Sequence, residues 1–202
     1  MDWRFAWIEL LDNWNSEIMK FLRNYSIHLS VAEQQILQRG TIFRPGASDF
    51  QIKEAEARLN LVMSPCVRSF YELSNGLHLI GLHYFEEIEI LPVGEIDWLR
   101  NQKDWIIELF QENESISDAN YGDYSANPAI RYQAVSKSLI LSPPELQIML
   151  LLDTSYSVVP FEWDGLCDDL AYKFRAASLF GLLEKERDKS IQSITRKHPN
   201  FR

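Results

Sequence analysis

The chain carries four histidines, His28, His78, His83 and His198, two cysteines, Cys66 and Cys167, and adjacent carboxylates such as Glu86-Glu87 and Asp168-Asp169. Histidines and thiols at close, regular spacing hold zinc, and carboxylates facing each other across a cleft hydrolyse glycosidic bonds. Neither pattern is written here. His78 and His83 are five residues apart in a segment of strand character, which sets them on opposite faces, and neither cysteine has a second Cys or His at zinc spacing. There is no GxxxxGKS/T or GxGxxG phosphate loop and no GxSxG nucleophile elbow. Adjacent carboxylates fix no separation across a cleft, and Asp164-Gly165 reads as a turn. The expectation is a chain with no catalytic residue, no metal and no cofactor. A hydrolase using the carboxylates is the minor alternative.

Charge is more informative. The 202 residues include 20 Lys plus Arg and 29 Asp plus Glu, a net charge of -9. Residues 86–123 carry 11 acidic side chains against only Arg100 and Lys103, which is -9 in one stretch; residues 1–85 come to -1 and 124–202 to +1. Such a field repels phosphate backbones and attracts cations, which disfavours direct nucleic-acid binding and favours a basic protein partner. The candidate contact residues are Glu87, Glu89, Glu95, Asp97, Glu108 and Glu112. A solvated strand face explains Glu87 and Glu89 equally well.

The remaining composition, 46% hydrophobic and 24% charged, excludes a disordered chain, a collagen-like chain and a coiled-coil rod. The longest apolar run, Ile148-Met149-Leu150-Leu151-Leu152, is far below a membrane span, and Asp2 and Trp3 after Met1 open no secretory signal. The expectation is a cytoplasmic protein with two reduced thiols and no membrane contact.

The elements that must position these residues are legible from periodicity. Residues 3–23 form an amphipathic helix with Trp7, Leu11, Trp14, Ile18, Phe21 and Leu22 on one face, an aromatic stripe suited to docking. Ser30 and Glu33 form a capping box for a helix over 31–38 that Gly40 ends, and the segment 40–47 is the best internal boundary. Ser48 and Gln51 cap a third helix bearing Ile52, Ala55 and Leu59. Pro65 opens a fourth with Val67, Phe70 and Leu73, ended by Asn75-Gly76 through positive φ.

Strands follow at Leu79 to Phe85 and Glu87 to Leu91, with Ile88 and Ile90 on one face and Glu87 and Glu89 on the other. A helix is predicted from Trp98 to Gln111, then a polar loop over 113–129. Ser138 to Ser142 and Leu146 to Asp153 form a hairpin, Ser157 to Trp163 a further strand, and a last helix runs near 178–189 from Ser178. Helices, then strands, then a helix define an α+β fold: a mainly antiparallel central sheet with N-terminal helices and a C-terminal helix packed on it.

In "ASDFQIKEAEARLNLVMSPCVRSFYELSNG" the residues Ile52, Glu56, Leu59, Pro65, Phe70, Tyr71, Asn75 and Gly76 come in a register that resembles the SUKH superfamily, the group of the fungal Smi/Knr cell-wall assembly regulators. Ile90-Leu91-Pro92-Val93, Glu95-Ile96-Asp97-Trp98, "IMLLLD", Glu162-Trp163 and "AASLFGLLEK" continue the likeness over roughly 48–187. The departures are Leu61-Val62-Met63-Ser64 in place of a Leu-Gly before the proline, and Leu77 in place of an aromatic after Asn-Gly.

The resemblance implies an α+β domain without a shared catalytic site. It divides the chain into a helical extension over 1–47, a SUKH-like domain over 48–190 and a tail over 191–202. Bacterial relatives are largely immunity proteins that neutralise nuclease or deaminase toxins; fungal relatives are interaction hubs in signalling. The recurring residues then read as structural: Asn75 and Gly76 for a turn, Pro92 for a bend, and Trp98, Trp163 and Phe180 for packing. Two functions are expected. One is an immunity protein whose acidic surface masks a basic toxin domain. The other is a regulatory scaffold docking through the Trp-rich first helix.

Overall fold

A computed structural model describes residues 2–24, 29–79, 88–102, 137–143, 148–154, 164–169, 173–176 and 178–197. The fold is built from the helix ends inward. Helix α1 (Trp3–Asn24) buries Trp7, Leu10, Leu11, Trp14, Ile18, Met19, Phe21 and Leu22 along one stripe. Helix α2 (Val31–Arg39) opens on a complete capping box, with the Ser30 N–H donating to Glu33 Oε2 at 2.6 Å and the Glu33 N–H to Ser30 Oγ at 3.2 Å, and closes on Gly40 in the left-handed region at φ 72°. Helix α3 (Asp49–Leu59) repeats the device with Ser48 and Gln51 and ends on Asn60, left-handed at φ 53°. Helix α4 (Pro65–Leu73) carries Pro65 in its first turn, where no N–H is missed.

Among the described residues the strands form two antiparallel sheets. Strands β1 (Leu77–Leu79) and β2 (Ile88–Ile90) make a ribbon in which Leu77 faces Ile90. Strands β3 (Asp97–Trp98), β4 (Ser138–Ile140), β5 (Ile148–Asp153), β6 (Asp164–Asp169) and β7 (Lys173–Ala176) follow one another in chain order across a five-stranded sheet. A short helix α5 (Leu99–Gln102) follows β3. The ribbon joins the larger sheet where the Leu91 N–H donates to the Leu141 carbonyl at 2.7 Å. Leu139, Leu150 and Leu152 point into the main core, and the register pair Ile140 and Leu151 is buried on the opposite face. Helix α6 (Leu179–Lys197) lies against β6 and β7 and meets α1 and α4. This is the α+β arrangement expected from the order of elements.

Several details differ from the sequence reading. The strand expected from Leu79 begins at Leu77. Trp98 belongs to β3, and helix starts only at Leu99; the rest of the expected helix, the 113–129 loop and the strand over 157–163, Trp163 included, lie outside the described residues. Asp164 and Gly165 are the first residues of β6 instead of a turn, because pairing of Asp153 with Asp164 and of Leu152 with Gly165 extends the ladder through them. The last helix runs past 189 to Lys197, so the first part of the expected 191–202 tail is helical.

The 40–47 segment is bound to the body of the molecule. Phe43 bridges Leu77, the Asn75 N–H donates to the Pro45 carbonyl at 3.2 Å, and the Ala47 N–H to the Tyr71 carbonyl at 2.8 Å. A β-carbon on Gly46 would collide with the Glu72 carbonyl oxygen, so this strap passes α4 at glycine distance.

Candidate partner-binding surface

Asn75 and Gly76 shape the approach to the acidic segment, but by a different division of labour from the one expected. Gly76 alone takes positive φ, at 101°. Asn75 instead uses its side chain: Oδ1 accepts the Val93 N–H at 2.7 Å and so ties the end of α4 to the turn after β2. The Pro92 carbonyl accepts the N–H groups of Glu95 at 2.8 Å and Ile96 at 3.3 Å. Arg58, in the last turn of α3, reaches over this turn and donates to the carbonyls of Val93, Gly94 and Ile96 at 3.4, 3.2 and 2.8 Å. Sequence reasoning missed Arg58, since a surface arginine in a last helical turn looks like a helix-dipole partner.

This frame places three of the six candidate acids. Glu95 is exposed on the 92–96 turn. Asp97 is more engaged: its Oδ1 accepts the Trp98 N–H at 2.7 Å and Asn101 Nδ2 at 3.0 Å, and Arg58 stands 4.0 Å away. Glu89 corrects the expectation of an open contact residue. Ile88 and Ile90 are buried and Glu89 points to the other face, as alternation requires, but that face is covered. Its side chain is only 12% exposed, with Oε1 2.6 Å from Arg44 Nη2 and 3.0 Å from His78 Nδ1. A mostly buried carboxylate so paired holds the strap to the ribbon, and its charge is largely answered within the molecule. Glu87, Glu108 and Glu112 lie outside the described residues.

Among the structural candidates, Trp98 packs half-buried, donates Nε1 to the Leu59 carbonyl at 3.3 Å, and carries the Arg100 guanidinium 5.1 Å above its ring. Phe180 stands edge-on to Trp7 at 4.9 Å and tilted to Trp3 at 5.9 Å. Trp7 donates Nε1 to the Cys66 carbonyl at 2.8 Å, and the Cys66 side chain is buried. The aromatic stripe of α1 is therefore docked within the chain itself, and Trp7 and Trp14 offer nothing to an outside partner.

Titratable groups show structural engagement. Asp49 is held below the usual carboxylate value by its bond to Lys53, with Arg68 adding to the effect, the opposite displacement from that of a general acid. Burial pushes the Tyr71 phenol upward, and its hydroxyl reaches the Leu91 carbonyl at 3.4 Å. Arg68 gathers Asp49, Glu56 and Glu72 around one guanidinium between α3 and α4. Among the described residues no three His, Cys, Asp or Glu side chains group as metal ligands, and no helix is long and apolar enough to cross a membrane.

No family profile matches the chain, and no curated protein matches it either.

Proposed function

We propose that the chain is a non-catalytic protein-binding module of the SUKH kind, a bacterial immunity protein that works in the cytoplasm by covering a basic nuclease- or deaminase-type toxin. The observation that carries this reading is the concentration of the whole net charge, -9, in residues 86–123. Opposite fields raise association rates and disfavour wrong partners, and a nuclease site that binds phosphate is itself positive. The ties from Arg58 and Asn75 support the reading because they hold the turn that presents Glu95 in one conformation. The regulatory-scaffold alternative relied on the tryptophans of α1, of which Trp7 and Trp14 are enclosed in the core.

The test is charge reversal at Glu95, Glu108 and Glu112 together, leaving Glu89 intact because it holds Arg44 and His78. Association with a basic nuclease- or deaminase-type toxin domain is expected to slow about tenfold or more at low salt and to lose most of its salt dependence. A triple variant that associates as fast as the parent and protects cells as well removes the acidic segment from the account.

A further inference from the structure

The outer face of α1 combines exposed apolar side chains with exposed carboxylates. Phe5 is 69% exposed and Ile8 40%, three residues apart on one side of the helix. Glu9 and Asp12 are exposed around them, as is Asp2, whose Oδ1 accepts the Phe5 N–H at 3.3 Å, while the basic side chain nearest in sequence, Arg4, turns toward Glu72 at 3.8 Å. Ile8 also stands at the lip of a groove of about 310 Å³, which Leu11 and Asp12 line from α1, Phe43 and Pro45 from the strap, and Leu73 from the end of α4. Arg44 lies along the same groove and holds Glu89, so the groove abuts the start of the acidic segment.

From this juxtaposition we infer that the α1 groove is a docking site for a basic amphipathic helix of a partner protein. An apolar anchor enters between Ile8, Phe43 and Leu73, and lysines or arginines on the flanks meet Asp2, Glu9 and Asp12. Charge complementarity selects this occupant. A second copy of the chain would set these carboxylates against their equals in a two-fold contact, within a protein of net charge -9. An anionic membrane surface is repelled for the same reason. The inference deepens the binding-module reading and rests on it for the existence of a protein guest, but it places contacts on a different element from residues 86–123.

The experiment uses the full chain and a fluorescein-labelled amphipathic peptide of leucine and lysine, with a leucine–glutamine peptide as the neutral comparison. Fluorescence anisotropy is expected to show tighter binding of the lysine peptide. The double variants Phe5→Ser/Ile8→Ser and Glu9→Lys/Asp12→Lys should each raise Kd about tenfold. Phe50→Ser/Val62→Ser, two exposed apolar positions on other elements, should leave it within about twofold. Amide shift mapping on the unmodified chain should place the peptide on residues 5–12 and 41–45, a readout independent of any variant. Equal binding by all variants, an equal loss in the Phe50/Val62 control, peptide shifts elsewhere, or self-association through Ile8 overturns the inference. Undiminished neutralisation of a toxin by the α1 variants overturns it too, and leaves the immunity reading standing. Peptide docking on α1 in a chain that neutralises no toxin does the reverse.

Discussion

Gly76 and Asn75 carry separate burdens that substitution can tell apart. A β-carbon on Gly76 would collide with the Ile90 carbonyl oxygen, at a φ of 101° that other residues rarely adopt. Gly76→Ala is expected to lower unfolding free energy by about 1–3 kcal/mol in urea titration. Asn75→Ala keeps the backbone relaxed but takes the acceptor from the Val93 N–H, and a loss of about 1–3 kcal/mol follows from that group alone. Asn75→Asp keeps the acceptor and should recover most of it. Tyr71 gives the chain a signature in alkali. Its folded phenol stays neutral at pH values where the unfolded phenol, with its ordinary value of 10.0, has ionised. Above pH 10 the unfolded state thus binds fewer protons than the folded one, and stability falls as pH rises. The difference in unfolding free energy between the parent and Tyr71→Phe should be flat below pH 9 to 10 and shrink above it; a difference constant through that range contradicts the burial of this hydroxyl.

At the scale of elements, α1 has two faces that mutation should separate. Trp7→Ala removes a buried ring, its bond to the Cys66 carbonyl and its contact with Phe180, and is expected to cost about 3–5 kcal/mol in denaturant titration. Phe5→Ser on the opposite face should change stability by less than about 0.5 kcal/mol. Ser48→Ala, which opens the α3 capping box, belongs between them at about 1 kcal/mol. These helices were legible because their signals are local. Ser30 with Glu33, Ser48 with Gln51 and Pro65 mark helix starts within a few residues of sequence, and the α1 stripe needs only its own spacing. The misread elements depend on distant partners. Asp164-Gly165 favours a turn in isolation, and β5 recruits it into a ladder. Trp98 reads equally well as the first residue of a helix, and β4 holds it as strand. Asn60 ends α3 in the left-handed region, a role the residue type permits but the sequence does not announce.

At the scale of the whole molecule, the candidate surface was only partly legible for the same reason. The count of acids in 86–123 is visible in the sequence, and so is the alternation that turns Glu89 away from the core. That Arg44, 45 residues upstream, waits on that face is a product of the strap's path across β1, and no local pattern encodes it. Arg58 over the 92–96 turn is likewise a tertiary contact. The molecule that results is an α+β body in which Glu89 is paired and Asp97 hydrogen-bonded within the chain, with Glu95 and the outer face of α1 facing solvent. Its long-range field should govern encounter with a basic guest, so the association rate should fall steeply with added salt while dissociation changes little. A rate indifferent to salt would detach the charge from the function.

The most direct measurement is a titration of a candidate basic toxin domain with the purified full chain, following the domain's nuclease or deaminase activity. The account predicts that activity falls in proportion to added chain and vanishes at one equivalent, with the chain recovered unchanged in the complex. Toxin that keeps full activity in excess of the chain contradicts it.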